Sequence, residues 1–267
     1  VAFAPAQPGQ AHPGPWKAAR GGYGFDVTAE LLIPKQVAAT LAGRVEVARL
    51  IVALMRFWAT PSITLPVISS ISFSRAVTAP DNEAHFWPLE TDQRYFALVA
   101  PEGESLNEAR LLWVKEHWRA AANLVAKHAE LKVAVDALDR GQFIQNPALA
   151  LLSLWSALEA LFSPAKAELR FRVAALIATY LREPGVERQE LHKKILRLYD
   201  QRSAAAHGQP KKNPDGLLQT FELLRQVVLK MIGARHVPSK EELEALLFGV
   251  SVSLEQEPSN KPLEPTR

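Results

Sequence analysis

The chain has 267 residues, 48% of them hydrophobic and 22% charged, an ordinary globular balance sufficient for one large domain or two small ones. The absence of cysteine excludes a disulfide framework, Cys-ligated zinc, iron–sulfur clusters and thiol nucleophiles, and fits a reducing, cytoplasmic setting. A formal net charge of +3 is far from that of a polycation, so any contact with nucleic acid has to come from a local patch.

The opening VAFAPAQPGQAHPGPW lacks the basic start and apolar core of a secretory signal, and without an initiator Met it reads as beginning inside a longer frame. Residues 1–20, rich in Pro, Gly and Ala, predict a flexible leader closed by Gly21-Gly22. Apolar residues then recur near every second position (Tyr23, Phe25, Val27, Leu31, Ile33), which predicts a strand or hairpin. Pro34 sits where a helix can open, and 35–58 carries a helical pattern. Its apolar run from Val45 to Trp58 is too short for about 30 Å of hydrocarbon and holds Arg49 and Arg56, so no membrane span is expected. Ile63 to Phe73 is β-branched and punctuated by Pro61 and Pro66, and Trp87 to Val99 offers another strand. Residues 21–102 are thus expected to be a small mixed α/β region.

Helical signals dominate from residue 103. Ser105 with Glu108 predicts a capping box opening a helix to about Leu138, broken by Gly141 and Pro147. Further helices are expected over 148–162, 166–182, 187–206 and 216–233, the last capped by Asn213 or Asp215. No repeat is visible, so these elements predict a bundle over 103–236 with its core at 145–235, then a short helix and disordered tail over 237–267. The fold class expected is mainly α, with a smaller mixed N-terminal region.

The segment LHKKILRLYDQRSAAAHG, residues 191–208, concentrates the chemistry. At 100° per residue Leu191, Ile195, Leu198 and Arg202 fall within about 60°, so the guanidinium continues an apolar stripe and requires a carboxylate or an anionic ligand. His207 lies five residues on, about 140° away on a straight helix, and Gly208 is the expected C-terminal cap. A helix C-terminus favours the imidazolium and suits proton transfer near neutrality. Between Glu187 and Lys212 seven Lys or Arg face three acids, a local excess of four positive charges. Lys193, Lys194, Arg197, Lys211 and Lys212 are the candidate RNA-binding residues, although a solvated helix face is often this basic.

Three stretches resemble the HEPN superfamily: Leu154-Trp155-Ser-Ala-Leu158-Glu159-Ala-Leu161-Phe162, Leu169-Arg-Phe-Arg172, and Tyr199-Asp-Gln-Arg202-Ser203-Ala-Ala-Ala-His207-Gly208. The Apea-like HEPN branch is the most similar, over about 145–235. The resemblance implies a four- or five-helix bundle, commonly a homodimer in which Arg and His of both subunits line one cleft. Many members are metal-independent endoribonucleases of defence or toxin–antitoxin systems, leaving a 2′,3′-cyclic phosphate. Carried over, His207 transfers the proton and Arg202 clamps the phosphate, and neither cofactor nor metal is implied. Ser203 stands where active members usually carry Asn, Asp or His and where the Apea-like branch often has Ser. Glu159 either orients Arg202 from the neighbouring helix or serves as its internal carboxylate partner. Two other functions stay open: a non-catalytic module binding RNA, a nucleotide or a protein partner through 21–102, and a structural dimerisation bundle.

The remaining histidines show no metal-ligand spacing. His117 and His128 are eleven residues apart, about 16 Å along a helix. Trp113 and Trp118 read as core rather than base-stacking platforms. No phosphate-cradling Gly loop or Gly-x-Ser-x-Gly elbow is present.

Overall fold

The computed structural model describes residues 2–5, 16–20, 23–27, 29–61, 63–76, 79, 83, 85–90, 107–162, 169–206 and 214–250. Helices dominate them, as the sequence predicts. Three strands, β1 (Ala2–Pro5), β2 (Trp16–Arg20) and β3 (Tyr23–Val27), form an antiparallel meander with Phe3 opposite Ala18 and Ala18 opposite Phe25. Segments expected to lie in a flexible leader are therefore paired strands. Pro5 closes β1, and Pro8, Gly9, Pro13, Gly14 and Pro15 lie outside the described residues. The strand expected from Tyr23 stops at Val27, and Leu31 and Ile33 lie outside any strand.

Helix α1 (Leu41–Trp58) starts six residues later than the pattern suggests. Thr40 is its N-cap, accepting from the Gly43 amide at 3.1 Å, while Pro34 closes a separate turn with Val37. Beyond it, β4 (Val67–Ser69) pairs antiparallel with β5 (Phe86–Pro88), and a single turn, α2 (Phe73–Ala76), takes the end of the expected Ile63–Phe73 strand. The rest of the strand expected to Val99 falls mostly outside the described residues.

The long helix expected over 105–138 is two, α3 (Glu108–Lys127) and α4 (Ala129–Arg140). His128 between them is extended, with φ −121° and ψ 101°. Neither Gly nor Pro marks the break. It follows from packing, because α3 lies against α1 whereas α4 turns Leu131, Ala134 and Leu138 towards the next helix. Asn107, not Ser105, caps α3 by accepting from the Arg110 amide at 2.9 Å, and Ser105 lies outside the described residues.

A 3₁₀ turn at Gly141–Phe143 leads to α5 (Pro147–Phe162), α6 (Leu169–Leu181), α7 (Val186–Ala206) and α8 (Pro214–Ala234). Gly185, at φ 149°, makes the tight turn between α6 and α7 that other residues rarely adopt. Asp215 stands inside the first turn of α8 rather than capping it. Helix α9 (Lys240–Leu247) carries a complete capping box between Ser239 and Glu242.

Helix α5 is the centre of the bundle, touching α4, α6, α7 and α8. Trp155 and Phe162 from α5 are sealed in one core with Leu131, Ile195 and Phe221. Leu54 and Phe57 of α1 belong to that same core, so α1 is part of the bundle although it precedes residue 103. Trp113 and Trp118 pack against this core as expected. The run Val45–Trp58 is buried helix, and no helix among the described residues is long and apolar enough to cross a membrane.

One ionic junction fixes the N-terminal segments to the bundle. The Arg56 side chain is 1% exposed and donates to Asp139 Oδ1 at 2.6 Å, Glu90 Oε2 at 2.5 Å and the Ile63 carbonyl at 2.9 Å. Glu90 Oε2 also accepts from the Leu65 amide at 2.7 Å. Helices α1 and α4 and two loop segments thus meet on one guanidinium.

Candidate functional site

Helices α5 and α7 lie side by side and bring four side chains into one cluster. Trp155 and Glu159 are four residues apart on α5, and Tyr199 and Arg202 three apart on α7, so each pair shares a helix face. Arg202 Nη2 stands 3.3 Å from both carboxylate oxygens of Glu159. The contact uses one nitrogen rather than the fork that makes the strongest guanidinium–carboxylate pairs. The Arg202 Cζ lies 5.5 Å from the centre of the Tyr199 ring, within cation–π range. Tyr199 in turn meets Trp155 edge-on, with centroids 5.0 Å apart and planes at 77°. Burial raises the Tyr199 phenol above its usual range, the neighbouring Glu159 carboxylate adds to the rise, and the Arg202 charge opposes it.

The cluster is incompletely satisfied. Trp155 Nε1, Glu159 Oε1 and Arg202 Nε are buried without a hydrogen-bond partner among the described residues. Native interiors rarely leave such atoms unpaired, so each calls for a water, an ion or another polar partner. The Arg202 side chain is 28% exposed and that of Glu159 17%, so the guanidinium lies at the margin of the core and still reaches solvent.

Local structure explains the placement. Ile195 and Leu198 are buried, and Arg202 follows on the stripe they define, as the spacing predicts. In the first turn of α8, Gly216 lies beside Gln201 on the turn carrying Arg202, the Gln201 side-chain amide filling the space a Cβ would take. Next to the site, Arg170 of α6 grips Asp200 with two bonds of 2.7 and 2.8 Å, locking α6 to the same turn of α7.

Of the predicted site residues, the structure joins Arg202 and Glu159. His207, Lys211 and Lys212 lie outside the described residues, and α7 ends at Ala206. Lys193, Lys194 and Arg197 are exposed as expected, but they do not share a face with Arg202. Around the helix they stand roughly 180°, 80° and 140° from it. The charge of Lys194 is felt instead by Glu222 of α8. Burial works to raise the Glu222 carboxyl, yet bonds from Arg225 and Gln226 and the charges of Arg225 and Lys194 hold it below its usual range. The aromatic half of the cluster carried no sequence assignment. Its signal is the helical spacing of Trp155 to Glu159 and of Tyr199 to Arg202. No group of three or more metal-ligating side chains occurs among the described residues.

The ion pair itself is testable. Arg202→Ala, which leaves Glu159 largely buried beside an aromatic ring, is expected to cost about 2–3 kcal/mol, below the full cost of breaking a fully buried pair because Arg202 is partly wet. Arg202→Met combined with Glu159→Leu should recover most of that loss in urea unfolding. A double variant less stable than the sum of its singles would show that the pair is not the main support.

Comparison with family models, with curated proteins and with solved structures found no match to this chain.

Proposed function

We propose that the chain is a HEPN-type RNA-processing protein, a metal-independent endoribonuclease in which Arg202 clamps the scissile phosphate and His207 handles the proton. The observation carrying this reading is the state of Arg202: a marginally buried guanidinium using one nitrogen on Glu159 and leaving Nε unbonded. A half-buried cation so loosely paired gains from a further anion, and phosphate oxygens suit its geometry. RNA carries its own nucleophile, so no protein nucleophile is needed. The 2′-oxygen would attack phosphorus as His207 accepts its proton. The phosphorus–O5′ bond breaks, and the 5′-oxygen leaves as a hydroxyl once protonated. Arg202 neutralises the charge gathering on the non-bridging oxygens, and Glu159 orients it. A homodimer presenting two such sites, acting in the cytoplasm in defence or as a toxin, completes the proposal.

The test is cleavage of mixed single-stranded RNAs by the purified chain with chelator present, followed by end-group analysis. Cyclic 2′,3′-phosphate ends are expected, and His207→Ala should slow their formation about 100-fold or more. Intact RNA with the wild type, together with host toxicity unaffected by His207→Ala, would remove the enzyme reading. The pairing of Arg202 with Glu159 inside one chain also favours a second reading, a non-catalytic module. Salt-dependent RNA binding that requires Arg202 without any cleavage would select it.

A further inference from the structure

A cleft of about 510 Å³ opens between α1, α3 and α4, on elements that take no part in the α5–α7 cluster. Its volume lies in the range of roughly 300–1,000 Å³ usual for small-molecule sites. The walls are apolar: Val47 and Leu50 of α1 face Val125 of α3, with Phe143 from the 3₁₀ turn. All four are only half-buried, so the slot presents apolar side chains to water, where covering them would be favourable. Ala53 and Val135, both buried, mark its deep end.

The charges are unevenly committed. At the deep side Glu90 and Asp139 already hold Arg56 through the junction described above. At the mouth Asp136 is shared by Lys132 at 3.4 Å and Arg140 at 3.6 Å, contacts that are long, exposed and therefore worth little. Arg49 also lines the cleft. It is half-buried and, among the described residues, makes no hydrogen bond, ion pair or ring contact. Glu46, one turn earlier, is exposed and forms no ion pair with it. The mouth thus offers three cations against two acids above an apolar slot, one cation uncommitted among the described residues and two held loosely, while at the deep end Glu90 and Asp139 against Arg56 leave one negative charge.

We propose that this cleft binds an amphipathic anion: an apolar chain lying along Val47, Leu50, Val125 and Phe143, ending in a single carboxylate or phosphate ester held by Arg49, with Arg140 and Lys132 closing over it. The head group supplies the counter-charge that Arg49 lacks. The chain removes apolar surface from water at both α1 and α3. The two head groups share this chemistry and differ in charge, so they form separate arms of the test.

The full chain would be titrated by calorimetry with decanoate, decyl phosphate, decanol and decylamine, each below its aggregation threshold. One or both anions should bind saturably at one site, and the tighter of the two identifies the head group. Decanol and decylamine should bind at least tenfold more weakly. Arg49→Gln should weaken the anion about tenfold, and Ala122→Phe, which fills the slot from α3, should abolish binding. Circular dichroism and melting temperature establish that each variant folds. No saturable anion binding, equal affinity for decanol or decylamine, or unchanged affinity in both folded variants would overturn the proposal.

Discussion

Arg56→Ala is expected to lower stability by about 3–5 kcal/mol, the range for removing one partner from a buried ionic group. The side chain is 1% exposed, and Glu90 and Asp139 are 17% and 15% exposed, so neither carboxylate can recover full hydration after the guanidinium is gone. The Ile63 carbonyl also loses its donor. The loss reaches beyond the ion pair, because Glu90 also accepts from the Leu65 amide. The segments holding β4 and β5 would therefore lose their tie to α1 and α4 together. A melting temperature lower by about 2–4 °C per kcal/mol is expected for a chain of this size. Arg56→Lys should recover only part of the loss, since one ammonium cannot span three acceptors in a fixed plane. An Arg56→Ala protein within 1 kcal/mol of the wild type in urea unfolding would show that the junction contributes little.

Trp155→Ala is expected to be as damaging, at about 3–5 kcal/mol. The indole is fully buried at the centre of the bundle, and its removal leaves a void bounded by α5 and α7. Trp155→Phe tests a different property. It keeps much of the volume and removes the indole N–H, which has no partner among the described residues. That variant should lie well above Trp155→Ala in stability. A Phe variant as unstable as the Ala variant would mean that shape alone decides and that the orphaned donor is harmless. Because Tyr199 leans on the indole and Arg202 on Tyr199, the Ala variant should also loosen the guanidinium, and under the function proposed above any RNA affinity should fall more than in the Phe variant.

The bundle was readable where the chain carries its own punctuation. Pro147 and Pro184-Gly185 punctuate the chain around α5 to α7, and the spans expected at 148–162, 187–206 and 216–233 lie within two residues of those observed. Where punctuation is missing, periodicity misleads. Lys127-His128-Ala129 holds no helix breaker, so the pattern runs on through a break that tertiary packing alone imposes. The start of α1 failed for the opposite reason, because Pro34 resembles a helix start and the working cap, Thr40, is less conspicuous. The place of Arg202 on the apolar stripe is legible from spacing alone, whereas Glu159 enters only through the resemblance, as one of two possible roles. Arg56 was seen only as a charge unsuited to a membrane. Its partners lie 34 and 83 residues away, and no local pattern encodes contacts of that range.

Helix α5 has a single ionisable residue, Glu159, in a segment otherwise apolar around nearly its whole girth. Packed against four other helices on every face but that of Leu149, Ser156 and Ala160, it has little room in which to yield. The carboxylate is in effect bolted to the frame, whereas its cationic counterpart rides on the last turn of a helix that ends four residues later, at Ala206. Any accommodation of an arriving anion must therefore be made by the guanidinium swinging away from a stationary acid, which acts as the stop against which that swing is measured.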